Sequence, residues 1–313
     1  MADSTYLLEV EGLCQHFKSG RGKNKLLVKA VDGVSFGVKP AEIFGLVGES
    51  GCGKTTTGRT IIRLYDPSAG KIYFDGRDVS GKMTNELRRY LTDNIAMIFQ
   101  DPIETLNPRM TVEEIVGEGL RVRGIKDSKE IRARVVEVLK KVGLNEEHIT
   151  RYPHEFSGGQ RQRIGIARAV IVKPKLIIAD EPVSALDVSI QAQVINLLND
   201  LKEELGLTVL FVAHNLSVVK YFSDRVGVMH GGKLVEVAKG DDLYAKPLHP
   251  YTRALLSAIP EPNPITEKTR KRIDYDPERD HDYSVEKPSM VEIEPDHFIF
   301  CSPSELERYK GMI

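Results

Sequence analysis

The stretch GESGCGKTT at residues 48–56 sets glycines at 48, 51 and 53 ahead of a lysine and two threonines. It matches GxxxxGK[ST] and lies between an apolar run, IFGLV (43–47), and a helical run, TTTGRTIIRLY (55–65). Backbone N–H groups of such a turn can wrap a polyphosphate, helped by the positive end of the helix that follows. Lys54 can then reach the β- and γ-phosphates, and the Thr55 hydroxyl can ligate Mg²⁺. Gly48, Glu49, Ser50, Gly51, Cys52, Gly53, Lys54, Thr55 and Thr56 together predict a nucleotide phosphate site.

Other residues have matching chemistry. KLIIADEP (175–182) ends an apolar strand in two acids, Asp180 to hold Mg²⁺ through water and Glu181 to polarise the water that attacks a γ-phosphate. Buried carboxylates of this kind are costly without a cation. IAMIFQDP (95–102) places Gln100 after another strand, where it can ligate Mg²⁺, although a lone glutamine carries little information. His214 in LFVAHNLS also ends a strand, and taken alone it reads as a structural histidine. EFSGGQRQRIGIARAV (155–170) opens an amphipathic helix with a serine and two glycines, a second entrance suited to an anion. Cys52 sits at a helix N-terminus beside Lys54, which predicts a lowered thiol pKa and a reactive thiolate; the alternative is a small side chain turned into the core.

Short apolar runs must position these residues. LLVKAVDGVSFGV (26–38) alternates like a strand, and IFGLV, LIIA (176–179), TVLFVA (208–213) and RVGVM (225–229) read as further strands separated by helices, so the class is α/β. From about 111 to 172 the strand signal disappears, and KEIRARVVEVLKKVGL (129–144) reads as an amphipathic helix ended by Gly143, which suggests an inserted helical subdomain. After residues 249–264 the chain turns polar, charged and proline-rich, and is expected to be an extension with little core of its own.

With 313 residues, 41% apolar and 28% charged, the chain can bury one large core. A net charge of -1 gives no reason to expect nucleic acid or an acidic membrane as partner. Cys14, Cys52 and Cys301 are odd in number and lack CxxC spacing, so neither a disulfide frame nor a zinc site is expected and a reducing cytoplasm fits. No leader pattern and no spanning apolar run is seen, so the chain is expected to be neither exported nor membrane-spanning by itself.

Walker A at 48–55, Gln100, FSGGQ (156–160), LIIADE (176–181), SALD (184–187) and His214 stand in an order and spacing that resemble the ATP-binding-cassette (ABC) ATPases over about residues 5–258. The resemblance implies a RecA-like P-loop core with an antiparallel β subdomain and a helical subdomain at about 102–172. It also implies that two cassettes face each other, so that Ser157, Gly158, Gly159 and Gln160 bind the ATP held by the partner's Walker A. Glu181 then acts as general base, His214 stabilises the γ-phosphate and water, and Asp187 of the D-loop couples the two sites. Phe17 in LCQHFKSG occupies the place of an adenine-stacking aromatic, with a buried strand phenylalanine as the alternative. The helix after the D-loop, with Ile190, Val194, Leu197, Leu198, Leu201 and Leu205, is core packing.

One compact cassette without a long coiled coil favours transport over repair or translation roles. KPLHPYTRALLSAIPEP (246–262) and DPERDHDYSVEKPSMVEIEPDHFIF (276–300) resemble the extension of peptide-importer cassettes, F-type subunits of Gram-positive oligopeptide permeases above all. The resemblance implies a cassette at 1–258 and an extension at 259–313. The implied partners are a second homologous ATPase subunit (a homodimer being possible in isolation), two membrane permease subunits and an external binding protein. The chain would sit peripherally at the cytoplasmic face of the membrane, take ATP and Mg²⁺, and serve uptake of oligopeptides or dipeptides; related cassettes serve nickel or oligosaccharides. Two departures stand out. Ala41 replaces a usual glycine before the Walker A strand, which should only tighten the turn, and Cys301 stands alone in the tail, so no iron–sulfur cluster is expected.

Overall fold

The computed structural model describes residues 5–19, 26–259 and 271–313. Among them the strands are β1 (Leu8–Ser19), β2 (Leu26–Val38), β3 (Ile43–Val47), β4 (Ala69–Phe74), β5 (Arg77–Asp78), β6 (Ile95–Ile98), β7 (Leu176–Asp180), β8 (Thr208–Ala213), β9 (Arg225–His230), β10 (Lys233–Lys239), β11 (Ser289–Glu294) and β12 (His297–Cys301). The helices that matter for the site are α1 (Lys54–Ile61), α2 (Asn85–Asn94), α3 (Pro102–Thr105), α4 (Val112–Val122), α5 (Ser128–Lys141), α6 (Gly158–Val170), α7 (Val188–Leu205), α8 (Leu216–Lys220), α9 (Gly240–Ala245), α10 (Pro250–Ser257), α11 (Pro277–Asp280) and α12 (Pro303–Lys310). They fall into two compact units. Among the described residues, one comprises 5–7, Val38–Glu42 and Gly81–Val212; the other comprises 8–19, 26–37, Ile43–Ser80, 213–259 and 271–313.

In the first unit β6, β7 and β8 run parallel, with Ile98 opposite Ala179 and Asp180 opposite Val212. Every residue of β7 and β8 is buried, as a parallel strand covered on both faces requires. The remaining regular structure of this unit is helical. Thr111 and Glu114 close the start of α4 with a reciprocal capping box, and Asp127 caps α5 by accepting from the Lys129 N–H. α5 buries Ile131, Val135, Val138 and Leu139 at helical spacing, each burial contributing about 1.5–3 kcal/mol, and the chain then turns at Gly143 with φ 74. α7 buries Val194, Leu197, Leu198 and Leu201, while Ile190 and Leu205 are half-buried.

In the second unit β2, β1, β4 and β5 form one sheet in that order. A separate run of strands follows the order β11-β12-β10-β9-β3, in which β3 is parallel to β9 and the other pairings are antiparallel. Parallel and antiparallel strands interspersed with helices make the class α/β, as expected from the sequence.

Two expectations are corrected. Ala41 does more than tighten its turn: it sits at φ 57, a left-handed conformation that costs a side-chain-bearing residue about 1–2 kcal/mol. Its N–H is held by the Thr208 hydroxyl at 2.9 Å. The tail, expected to have little core, builds one. VEIE and HFIF alternate with period two, so β11 and β12 pair as a hairpin and β12 docks on β10, with Glu236 opposite Ile299. Leu248, Ile299, Cys301 and Tyr309 form a buried cluster, with Val291, Ile293 and Leu306 packed on it.

Glu236, fully buried in β10, holds that junction. Its carboxylate accepts the N–H groups of Leu248 (2.9 Å) and His249 (3.0 Å) and meets His297 Nε2 at 2.9 Å. Glu236→Ala would strand two buried amides and an imidazole, and is expected to destabilise the chain by about 3–5 kcal/mol. Urea denaturation of variant and wild type measures this; a loss under about 1 kcal/mol would mean that water or relaxation replaces the carboxylate.

Candidate nucleotide site

The phosphate loop leaves β3 and enters α1 within the second unit. Gly48, Gly51 and Gly53 have φ of 151, 81 and 107. Two of these positions also exclude a side chain by contact: a Cβ on Gly48 would lie 2.2 Å from the Met229 carbonyl oxygen, and one on Gly53 would lie 2.2 Å from that of Ala30. Gly51 is tight nowhere and needs glycine only for its left-handed backbone. The loop is pinned from outside by Gly232, whose N–H donates to the Cys52 carbonyl at 3.0 Å, and by Tyr251, whose Oη accepts the Glu49 N–H at 3.2 Å. Lys54 is 4% exposed, and its ammonium donates to the carbonyls of Gly48 (2.7 Å) and Glu49 (2.8 Å). Glu49 and Ser50 are exposed, while Thr55 and Thr56 are half-buried in the first turn of α1. Phe17, on β1 of the same unit, is half-buried with its ring edge-on to Tyr65 at 5.3 Å. His214 is exposed immediately after β8, next to Asn215, which caps α8.

Cys52 requires a correction. Its side chain is buried, with Sγ 3.7 Å from Lys54 Nζ and 2.8 Å from where a Gly48 Cβ would stand. Burial pushes the thiol pKa up and outweighs the nearby ammonium, which acts in the opposite direction. The reactive thiolate read from the sequence is therefore replaced by the inert, inward-turned side chain.

The carboxylates lie in the first unit. Asp180 is fully buried at the end of β7, and Glu181, half-buried, follows at φ 45. A left-handed glutamate at a strand end is strained, and here it is held by its N–H to the Val212 carbonyl at 2.9 Å and by Ser184, whose Oγ donates to the Glu181 carbonyl at 3.0 Å. Gln100, exposed after β6, donates from Nε2 to Glu181 Oε2 at 3.3 Å, which leaves its own amide oxygen for other partners. At α6, Ser157 Oγ accepts the Gln160 N–H at 3.3 Å and Gln160 Oε1 accepts the Ser157 N–H at 3.0 Å, a capping box. A Cβ on Gly159 would fall 2.6 Å from Ile190 Cγ2, so a side chain there would have to displace the isoleucine. Asp187 is exposed as the first residue before α7, and Gln191 holds the loop around it by donating to the carbonyls of Val183 (3.0 Å) and Leu186 (2.9 Å).

Tyr251, Gln191 and the Gly232 turn were missed in the sequence. HPYT marked the segment that contains Tyr251, but nothing in it points to a bond across 202 residues of chain.

A model of the ABC transporter family matches residues 31–184, and one of the oligopeptide/dipeptide transporter C-terminal region matches 235–284. The chain is 55% identical over 304 residues to the oligopeptide transport ATP-binding protein OppF of Bacillus subtilis (strain 168), covering 97% of this chain and 98% of that one. It is 52% identical to the dipeptide transport ATP-binding protein DppF of Lactococcus lactis subsp. cremoris (strain MG1363), covering 99% and 98%. Among solved structures it resembles the ATP-binding cassette MJ0796 in a dimeric post-hydrolysis state bound to ADP and Pi, with TM-score 0.67, 32% identity and coverage of 74% of this chain and 98% of that one. It also resembles cbiO1 from Clostridium perfringens, part of the cbiONQ transporter complex, with TM-score 0.68, 28% identity and coverage of 78% and 92%.

Of the three cysteines, Cys52 and Cys301 are buried, the latter with its pKa pushed up to about 11, and Cys14 is half-buried. Maleimide at neutral pH is expected to modify Cys14 first and leave Cys52 intact with or without Mg-ATP, as read by peptide mass spectrometry. Rapid labelling of Cys52, suppressed by nucleotide, would restore the exposed-thiol reading.

Proposed function

The chain belongs to the ABC transporter family as an ATP-binding subunit, and we propose that it hydrolyses ATP to drive uptake of oligopeptides or dipeptides through separate membrane subunits. The ATPase activity goes with the family. The peptide cargo is supported by one observation: identity above 50% to oligopeptide and dipeptide transport subunits runs through nearly the whole chain, extension included.

In this reading Lys54 leaves the carbonyls of Gly48 and Glu49 for the β- and γ-phosphates, while the loop amides beyond Glu49, up to Thr56, cradle them. Phe17 offers its ring to the adenine. Glu181 accepts the proton of the attacking water, held in position by its left-handed backbone, and His214 donates toward the γ-phosphate. Thr55, Gln100 and, through water, Asp180 would hold Mg²⁺; their donors are all oxygen and one is a fully buried carboxylate, which suits a small hard cation. Bound there, Mg²⁺ would neutralise charge on the phosphate oxygens.

Ser157, Gly158, Gly159 and Gln160 serve the nucleotide of a second cassette. The two glycines present bare backbone at the start of α6, and Asp187 and the 82%-exposed Val188 lie at the start of α7, available to a partner surface. We take the partner to be a homologous, non-identical subunit, with two permeases and an external binding protein completing the importer. No described helix is long and apolar enough to cross a membrane, so attachment would be peripheral, through those permeases.

Glu181→Gln keeps the shape of the site but removes the base. It is expected to bind ATP with near wild-type affinity and to lose about 10²–10⁴-fold in turnover, as read by steady-state ATPase and equilibrium nucleotide titration. Turnover within about threefold of wild type would remove Glu181 from the role.

In cells lacking this chain, uptake of a labelled oligopeptide should fail, return with wild type and not return with Lys54→Ala. Normal peptide uptake alongside a nickel or oligosaccharide defect would overturn the cargo while leaving the ATPase in place.

A further inference from the structure

The phosphate loop meets the segment matched by the oligopeptide/dipeptide transporter C-terminal region (235–284), which leads into the extension, at a hydrogen bond. Glu49, the second residue of the loop, donates its N–H to Tyr251 Oη at 3.2 Å. Tyr251 belongs to HPYT at the start of α10, is 2% exposed, and burial raises its phenol pKa, so the hydroxyl stays protonated and neutral beside the loop.

The phenol is fixed on every side. Glu236 holds the N–H of His249, and His249 Nδ1 in turn accepts the Tyr251 N–H at 3.1 Å, which sets the first turn of α10. That acceptor role needs a neutral ring. Burial first, then His281, His230 and Arg253, push the His249 pKa down to about 3. The Tyr251 ring packs on His230 with centroids 4.2 Å apart and meets Tyr275 edge-on at 5.4 Å. Behind them His249 stacks on His281 at 4.9 Å, and His281 stacks on Tyr283 at 4.9 Å. His281 Nδ1 ends the row against Glu305 Oε1 at 2.6 Å, in the capping box of α12. Tyr275, His281, Tyr283 and Glu305 all come from the tail. An unbroken row of rings therefore runs from the loop to the hairpin and helix of the extension.

A phosphate loop works through backbone amides already aimed when nucleotide arrives, so the groups that hold its backbone set affinity without touching the ligand. We propose that Tyr251 is a positioning residue for ATP, and that the extension acts on the cassette by bracing the first half of the phosphate loop through the Tyr251 hydroxyl. This rests on the nucleotide-binding reading of that loop.

The test is Tyr251→Phe in the full chain, which keeps the ring against His230 and Tyr275 and deletes only Oη. ATP Kd and KM are expected to rise about three- to tenfold, the equivalent of one neutral hydrogen bond, while kcat stays within about twofold. Hydrogen exchange of the peptide spanning 47–53, without nucleotide, should quicken in the variant while β12 and α12 keep wild-type protection. A purely structural tyrosine would lower the melting temperature without this split between KM and kcat, and that result overturns the proposal. Unchanged affinity with unchanged exchange overturns it as well. Should the variant fold poorly, wild type decides: the Glu49 amide must exchange as slowly as the buried amides of α10, and fast exchange rejects the brace. Wild type that binds no ATP would remove the nucleotide reading and this inference together, whereas wild-type binding with an indifferent variant removes only the inference.

Discussion

A loop that wraps an anion must keep its amides unpaired by its own secondary structure, and a backbone without such pairing has to be held by its surroundings. In this chain the surroundings are other backbones at close range. Met229 presses on Gly48 and Ala30 on Gly53 so closely that a methyl group would fit at neither position. The path of β9, the N–H of Gly232 and the inward turn of Cys52 all follow from that approach. Lys54 is the compensating charge, folded back on the two carbonyls that the loop leaves exposed to it.

What could be read from the sequence was what depends on local chemistry. The run IFGLV followed by GESGCGKTT names a strand, a phosphate loop and a helix because an apolar run, three glycines and a helix-forming run follow one another, and β3 and α1 lie there. LIIADE and TVLFVA read as buried strands for the same reason. Orientation was not readable. Whether Cys52 faces Lys54's field from solvent or from the interior depends on its packing beneath Gly48, which spacing alone does not encode. The left-handed backbone of Glu181 is set by Val212 and Ser184, and nothing in ADEP announces it. The tail was misread because glutamates occupy alternate positions of its first strand, so its composition resembles a linker while its period is that of a hairpin.

The start of α6 shows how a loop can be rigid and still available. Ser157 and Gln160 satisfy each other's amides, so the turn holds its shape without a ligand. Gly159 packs against Ile190 of α7, whose first turn also follows Asp187. One helix thus governs both the shape of the signature turn and the placement of the D-loop, which gives the two segments proposed to meet a second cassette a shared mechanical support.

The hairpin also changes which strand the sheet presents at its margin. By pairing with β10, β12 removes a row of free peptide groups from an otherwise hydrophobic strand, and β11 becomes the outermost strand in its place. Open margins recruit other chains and seed aggregates unless charge interrupts them. Glu292 and Glu294 stand exposed on β11, two residues apart, where any copy laid alongside would meet like charge. The extension therefore exchanges an apolar margin for a charged one.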